Sequence, residues 1–132
     1  MSLPRRNLGF EILLDALRRE SPEKVTNIVK SDVSLLKQTN SIGENALTWC
    51  ALELMYDQVE LLRSLGSPIQ EQALSEAIQH GNSDMVNLLL ELGGNISEYS
   101  AEQSIRIAKG FDSGDRILHI MKSHLSAYGI NV

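Results

Sequence analysis

A chain of 132 residues with 42% hydrophobic content fits one domain. Aromatic residues make up only 5% of it while Leu and Ile abound, so aliphatic helix packing is expected in place of a barrel or sandwich core. A net charge of -5 argues against nucleic acid as a partner, and the single cysteine excludes an internal disulfide and a thiolate-rich metal cluster.

The N-terminus MSLPRR is basic, but the stretch Leu8 to Leu17 behind it is broken by Glu11 and Asp15 and makes a poor signal-peptide core. No apolar run approaches the roughly 18 residues needed to span a bilayer, since Leu88, Leu89 and Leu90 are followed at once by Glu91. The expectation is a soluble cytoplasmic protein with no membrane association.

The first helical pattern, ILLDALRRESPEKVTNIVKSD (12 to 32), turns at Ser21-Pro22, with Pro22 in a first turn that tolerates its missing N–H. A second pattern, ALTWCALELMYDQVELLRSLGSPI (46 to 69), and a third, ALSEAIQHGNSDMVNLLLELGGNI (73 to 96), superpose without gaps. Ala46 meets Ala73, Ala51 meets Ile78, Val59 meets Val86, Leu61 and Leu62 meet Leu88 and Leu89, and Gly66 meets Gly93. The first pattern joins the same frame with Leu13 over Leu47, Glu23 over Asp57 and Val25 over Val59. A fourth, SIRIAKGFDSGDRILHIMKSH (104 to 124), joins with Ile105 over Leu74, Ala108 over Ala77 and Asp115 over Asp84. The anchors 13, 47, 74 and 105 are 34, 27 and 31 residues apart.

Four units follow, at about 8–40, 41–69, 70–97 and 98–125, each a pair of short antiparallel helices. First helices carry small residues (Ala16, Cys50, Ala51, Ala77, Ala108) that permit close approach; second helices are rich in Leu, Ile and Val. One such pair cannot bury its own apolar surface, whereas stacked pairs share a continuous core, with the terminal units as caps. Gly66 and Gly93 lie just past second helices, where a left-handed residue is cheapest as glycine. Asp57, Asp84 and Asp115 open second helices, where a carboxylate meets free N–H groups.

This pattern resembles the ankyrin repeat, whose consensus runs GxTPLHxAAxxGHxEVVxLLLxxGAD. Residues 43 to 68 follow it as GENALTWCALELMYDQVELLRSLGSP and residues 73 to 95 as ALSEAIQHGNSDMVNLLLELGGN. Where the family has TPLH, this chain has NALT at 45 to 48, in which Asn45 can cap its helix. The link from Ile69 to Leu74 is too short for the family's projecting finger. The resemblance implies an all-α solenoid of about four helix-turn-helix repeats with degenerate caps, working without cofactor as a protein-binding module. It also implies contact positions on a concave face: Arg18 and Arg19 in the first unit, Leu52 and Glu53 in the second, Gln79 and His80 in the third. Ser41, Ile42 and Glu44 extend that surface along the one loop long enough to project.

His119 and His124 are five apart, about 140° around a helix, and no cysteine or paired carboxylate completes a metal site. Cys50 sits at a small-residue position with no catalytic histidine spacing, which points to a buried inert thiol. KGFDSGD (109 to 115) lacks the phosphate-loop pattern. Trp49 fits either the core or a contact surface, and His80 either a contact or a solvated helix end. Between Arg63 and Arg106 there is no cation, yet Glu71, Glu76, Asp84, Glu91, Glu98 and Glu102 fall there, a solvated face or a docking strip. The expectation is a monomeric, non-catalytic adapter that binds another protein. Two alternatives are an inhibitor or immunity-type protein blocking a basic enzyme with its acidic half, and a non-catalytic structural adapter or homo-oligomer.

Overall fold

In the computed structural model, which describes residues 8–108 together with 116, 119 and 120, the chain is helical, and no strand occurs among the described residues. The α-helices are α1 (Leu8–Arg19), α2 (Pro22–Ser31), α3 (Ala46–Leu52), α4 (Tyr56–Ser64), α5 (Glu71–Gln79), α6 (Ser83–Glu91) and α7 (Glu98–Ala108). A 3-10 helix, Val33–Lys37, follows α2. None of these is long and apolar enough to cross a membrane.

The turns follow from local chemistry. Ser21 accepts the Lys24 N–H at 3.2 Å and Pro22 sets the backbone of the first turn of α2. Asn45 caps α3 by accepting the Thr48 N–H at 2.9 Å. Three hairpin helices end at left-handed glycines, Gly66 at φ +103°, Gly81 at +73° and Gly93 at +91°. At each, the N–H of the residue beyond reaches five residues back: Ser67 to the Leu62 carbonyl, Asn82 to Ala77 and Gly94 to Leu89, all at 2.8–2.9 Å.

Within hairpins α1 packs on α2, α3 on α4 and α5 on α6. Between them the first helices meet in succession, α1 on α3, α3 on α5 and α5 on α7. The aligned anchors are the core: Leu13, Leu47 and Leu74 are fully buried, as are Val25, Val59 and Val86 in the second helices, and Leu62 and Leu89 beside them. Burying each such side chain contributes about 1.5–3 kcal/mol. Ala16, Cys50, Ala51 and Ala77 are buried too, as close packing between first helices requires. The side chain of Ala108, Asp115, and the second helix expected of the fourth unit apart from residues 116, 119 and 120, His124 included, lie outside the described residues. Ile120 does pack against the core, and Arg116 ion-pairs with Asp84 at 2.8 Å.

The segment between the first two hairpins departs from the expected projecting loop. The 3-10 helix buries Leu35 and Leu36, and Asp32 caps it by accepting from the Ser34 N–H and hydroxyl. Only residues 39–45 form a narrow finger, closed by an antiparallel bridge between Thr39 and Asn45.

Candidate functional site

The residues at the ends of the first helices occupy equivalent positions. Arg19, Glu53 and His80 are all exposed, while on the adjoining row Arg18 is exposed and Leu52 and Gln79 half-buried. The Arg18 guanidinium lies 4.2 Å from the centroid of the Trp49 ring. A cation over an indole contributes about 0.5–1 kcal/mol at an exposed site. Trp49 is half-buried against the core, and its ring is the platform over which Arg18 lies. Arg19 is engaged differently, with its Nε 3.2 Å from the Asp15 carboxylate on the same helix.

Between α3 and α5 the surface sinks into a depression of about 400 Å³ lined by Leu52, Glu76, His80 and Asn82. His80 Nδ1 lies 2.7 Å from the Glu76 carbonyl. A carbonyl can only accept, so the bonded tautomer carries its proton on Nδ1 and leaves Nε2 directed away from the helix. Gln79 is turned toward the next unit, where its amide donates to the Ser104 hydroxyl at 3.4 Å.

The finger is a second, separate element, at the end of α3 opposite Leu52 and Glu53, about 10 Å away along a seven-residue helix. The Asn40 side-chain oxygen accepts from the N–H groups of Ile42 (3.1 Å) and Glu44 (3.0 Å), and Gly43 donates to the Asn40 carbonyl at 3.1 Å. Gly43 has a φ of +82°, which favours glycine there. Ser41 and Ile42 stand out at the tip, Ile42 with 69% of its surface exposed. Glu44 does not join them. It is 5% exposed, and its carboxylate accepts from the Asn40 amide at 2.7 Å, so it braces the finger from within instead of facing a partner.

The residue most responsible for fixing this region was not singled out from the sequence. The Gln70 carbonyl oxygen accepts from the Asn45 N–H (3.0 Å) and the Thr48 hydroxyl (2.6 Å), and its amide donates to the Gly43 carbonyl (2.9 Å). A polar residue in a link too short to project was the available signal. Asn45 adds a bond to the Pro68 carbonyl at 3.2 Å. The NALT segment thus carries its own network between the second and third units. A further tie, Arg63, donates to the carbonyls of Ser67 (2.9 Å) and Leu92 (3.0 Å), placing a cation where the negative ends of α4 and α6 meet. Glu71 accepts from the Ser97 N–H and hydroxyl, and the bond from the Ser100 side chain, followed by those from Ser97, holds its carboxyl below the usual range.

Cys50 is fully buried, and burial pushes its thiol up to about 12, against the smaller pull of the Arg18 charge. Among the described residues no group of three or more His, Cys, Asp or Glu side chains could hold a metal ion. No family model matches this chain, and neither the curated proteins nor the solved structures yield a match.

Proposed function

We propose that this chain is a non-catalytic protein-binding module, an ankyrin-type stack of about four helical hairpins with degenerate ends, and that it recognises a partner protein through the face formed by its first helices. The observation that carries this reading is the repetition of exposure at one position: Arg19, Glu53 and His80 stand at equivalent places on α1, α3 and α5 and all face outward. Beside them lie the held guanidinium of Arg18 and the depression at Leu52 and His80. Side chains repeated along a row of stacked helices form an extended surface that a partner can span. An aromatic and an arginine in contact are typical anchors of such surfaces. The finger tip, Ser41 and Ile42, extends it past the other end of α3. The one thiol is buried and held protonated, so this reading assigns it no nucleophilic role.

The test begins with affinity capture of the partner and then compares its binding to the wild type and to the combined variant Arg19→Glu, Glu53→Lys and His80→Glu by calorimetry. At least a tenfold loss, about 1.4 kcal/mol, is expected. Unchanged affinity in a folded variant would remove the face from the reading.

The cation-free stretch between Arg63 and Arg106 favours a second reading, an inhibitor that covers a basic enzyme surface with the acidic half. Its signature is different: affinity falling steeply with salt, and loss on reversal of Glu91 and Asp84 on α6 with the first-helix row intact.

A further inference from the structure

We propose that the cleft between the α1–α2 turn and the start of α4, next to the Arg19 end of the row of Arg19, Glu53 and His80, anchors a long basic side chain, lysine or arginine, presented by a partner protein. The cleft has a volume of about 230 Å³ and is floored by Leu17, Pro22, Val25 and Leu61, with the carboxylates of Glu20 and Asp57 at its rim. That volume is below the roughly 300–1,000 Å³ of small-molecule sites and suits one side chain. The Gln58 amide, donating to the Leu17 carbonyl at 3.4 Å, ties the α4 wall to the α1 wall.

Charge and polarity select the occupant. A neutral apolar side chain would fill the floor but desolvate the rim carboxylates, Asp57 with no cation to offset the cost, and an acidic one would be repelled. A basic side chain lays its aliphatic stem along the floor and brings its charged head to the rim, as such residues do wherever an apolar surface meets water. One cation is already present: Lys24 Nζ, on α2, lies 3.3 Å from Glu20 in the α1–α2 turn. Asp57 has no ion pair among the described residues and is exposed, so it is the carboxylate left to receive an incoming cation.

The test uses capped tripeptides as probes, Ac-Ala-Lys-Ala-NH2 and Ac-Ala-Arg-Ala-NH2, with the norleucine and glutamate counterparts as controls, titrated into the methyl-labelled full chain. Saturable shifts of the Leu17, Val25 and Leu61 methyls are expected with a basic probe at millimolar concentration, at least fivefold weaker with norleucine and absent with glutamate. Asp57→Asn should weaken the basic probe at least fivefold and leave norleucine unchanged. Glu20→Gln, on the other wall, serves as the second variant if Asp57→Asn alters the melting curve. Equal binding of norleucine and the basic probes, shifts confined to other methyls, or no saturable shift would overturn the proposal.

Discussion

Leu54 offers a sharp test of the backbone geometry. Among the described residues it is the one non-glycine with positive φ, at +58°, and it closes α3 as Gly81 closes α5. The Met55 N–H reaches the Cys50 carbonyl at 2.9 Å, matching the bond from Asn82 to Ala77. Holding a leucine in this conformation costs about 1–2 kcal/mol. Glycine would relieve that cost but loses about 0.5–1 kcal/mol more than other residues through its freedom in the unfolded chain. Leu54 is 42% exposed, so truncation also removes some packing, and replacing it by glycine alone mixes three effects. The clean comparison is Leu54→Gly against Leu54→Ala. Both lose the side chain, and only alanine retains the strain. Glycine should be the more stable of the two by about 0.5–1 kcal/mol, taking strain less entropy. At exposed Glu60, inside α4, the order should reverse, with glycine about 1 kcal/mol worse than alanine. Urea denaturation followed by circular dichroism reads both differences as midpoint shifts at constant slope. If alanine equals or exceeds glycine at 54, the residue is not left-handed and the helix-closing geometry is wrong.

Three further outcomes are expected. Leu89→Asp puts a carboxylate at a fully buried site at a cost of several kcal/mol, against about 7–20 kcal/mol for a chain of this length, so thermal melting should lose its cooperative transition or shift it far down. Gln70→Ala strands the buried N–H of Asn45 and the hydroxyl of Thr48, and chemical denaturation should show a loss of about 2–4 kcal/mol. Cys50 should resist alkylation at neutral pH except through unfolding. Because its folded value of about 12 exceeds the ordinary 9.0, stability should be unaffected below pH 9 and fall as the pH rises from there toward 12, by up to about 1.4 kcal/mol per unit. Cys50→Ala should lack that part of the slope.

What could be read in advance and what could not divides along physical lines. Burial repeats with the period, because Leu13, Leu47 and Leu74 meet the same demand in successive hairpins; aligning letters was enough to find them. The glycines and Asn45 answer local backbone needs, and their chemistry is written within a few residues of the helix ends they close. Gln70 and Arg63 escaped notice because their partners are 22 to 29 residues away and their value lies in distance, not in pattern. Glu44 was misread for a related reason. A charged residue in a polar loop looks solvated, and only the fold of Asn40 back across the finger shows that its carboxylate is occupied. The 3-10 helix hid because Val33–Lys37 is too short for a helical period to emerge.

The polar groups of this chain divide by which end of a first helix they occupy. At the starting ends, Asn45, Thr48 and Gln70 bond to one another, and Glu71 binds Ser97 in the following link. Among the described residues no buried side-chain nitrogen or oxygen lacks a partner. The joint at Asn45 and Thr48 resists change, since removing one member leaves another buried and unpaired, while the Glu71–Ser97 tie lies at the surface. At the finishing ends, Arg19, Glu53 and His80 meet solvent, where substitutions usually alter stability by less than about 0.5 kcal/mol. The joints fix the spacing of the hairpins, and the exposed ends can change without disturbing it. A surface whose side chains can be exchanged over a fixed spacing can be tuned to a partner independently of the fold, which is what the proposed binding role requires.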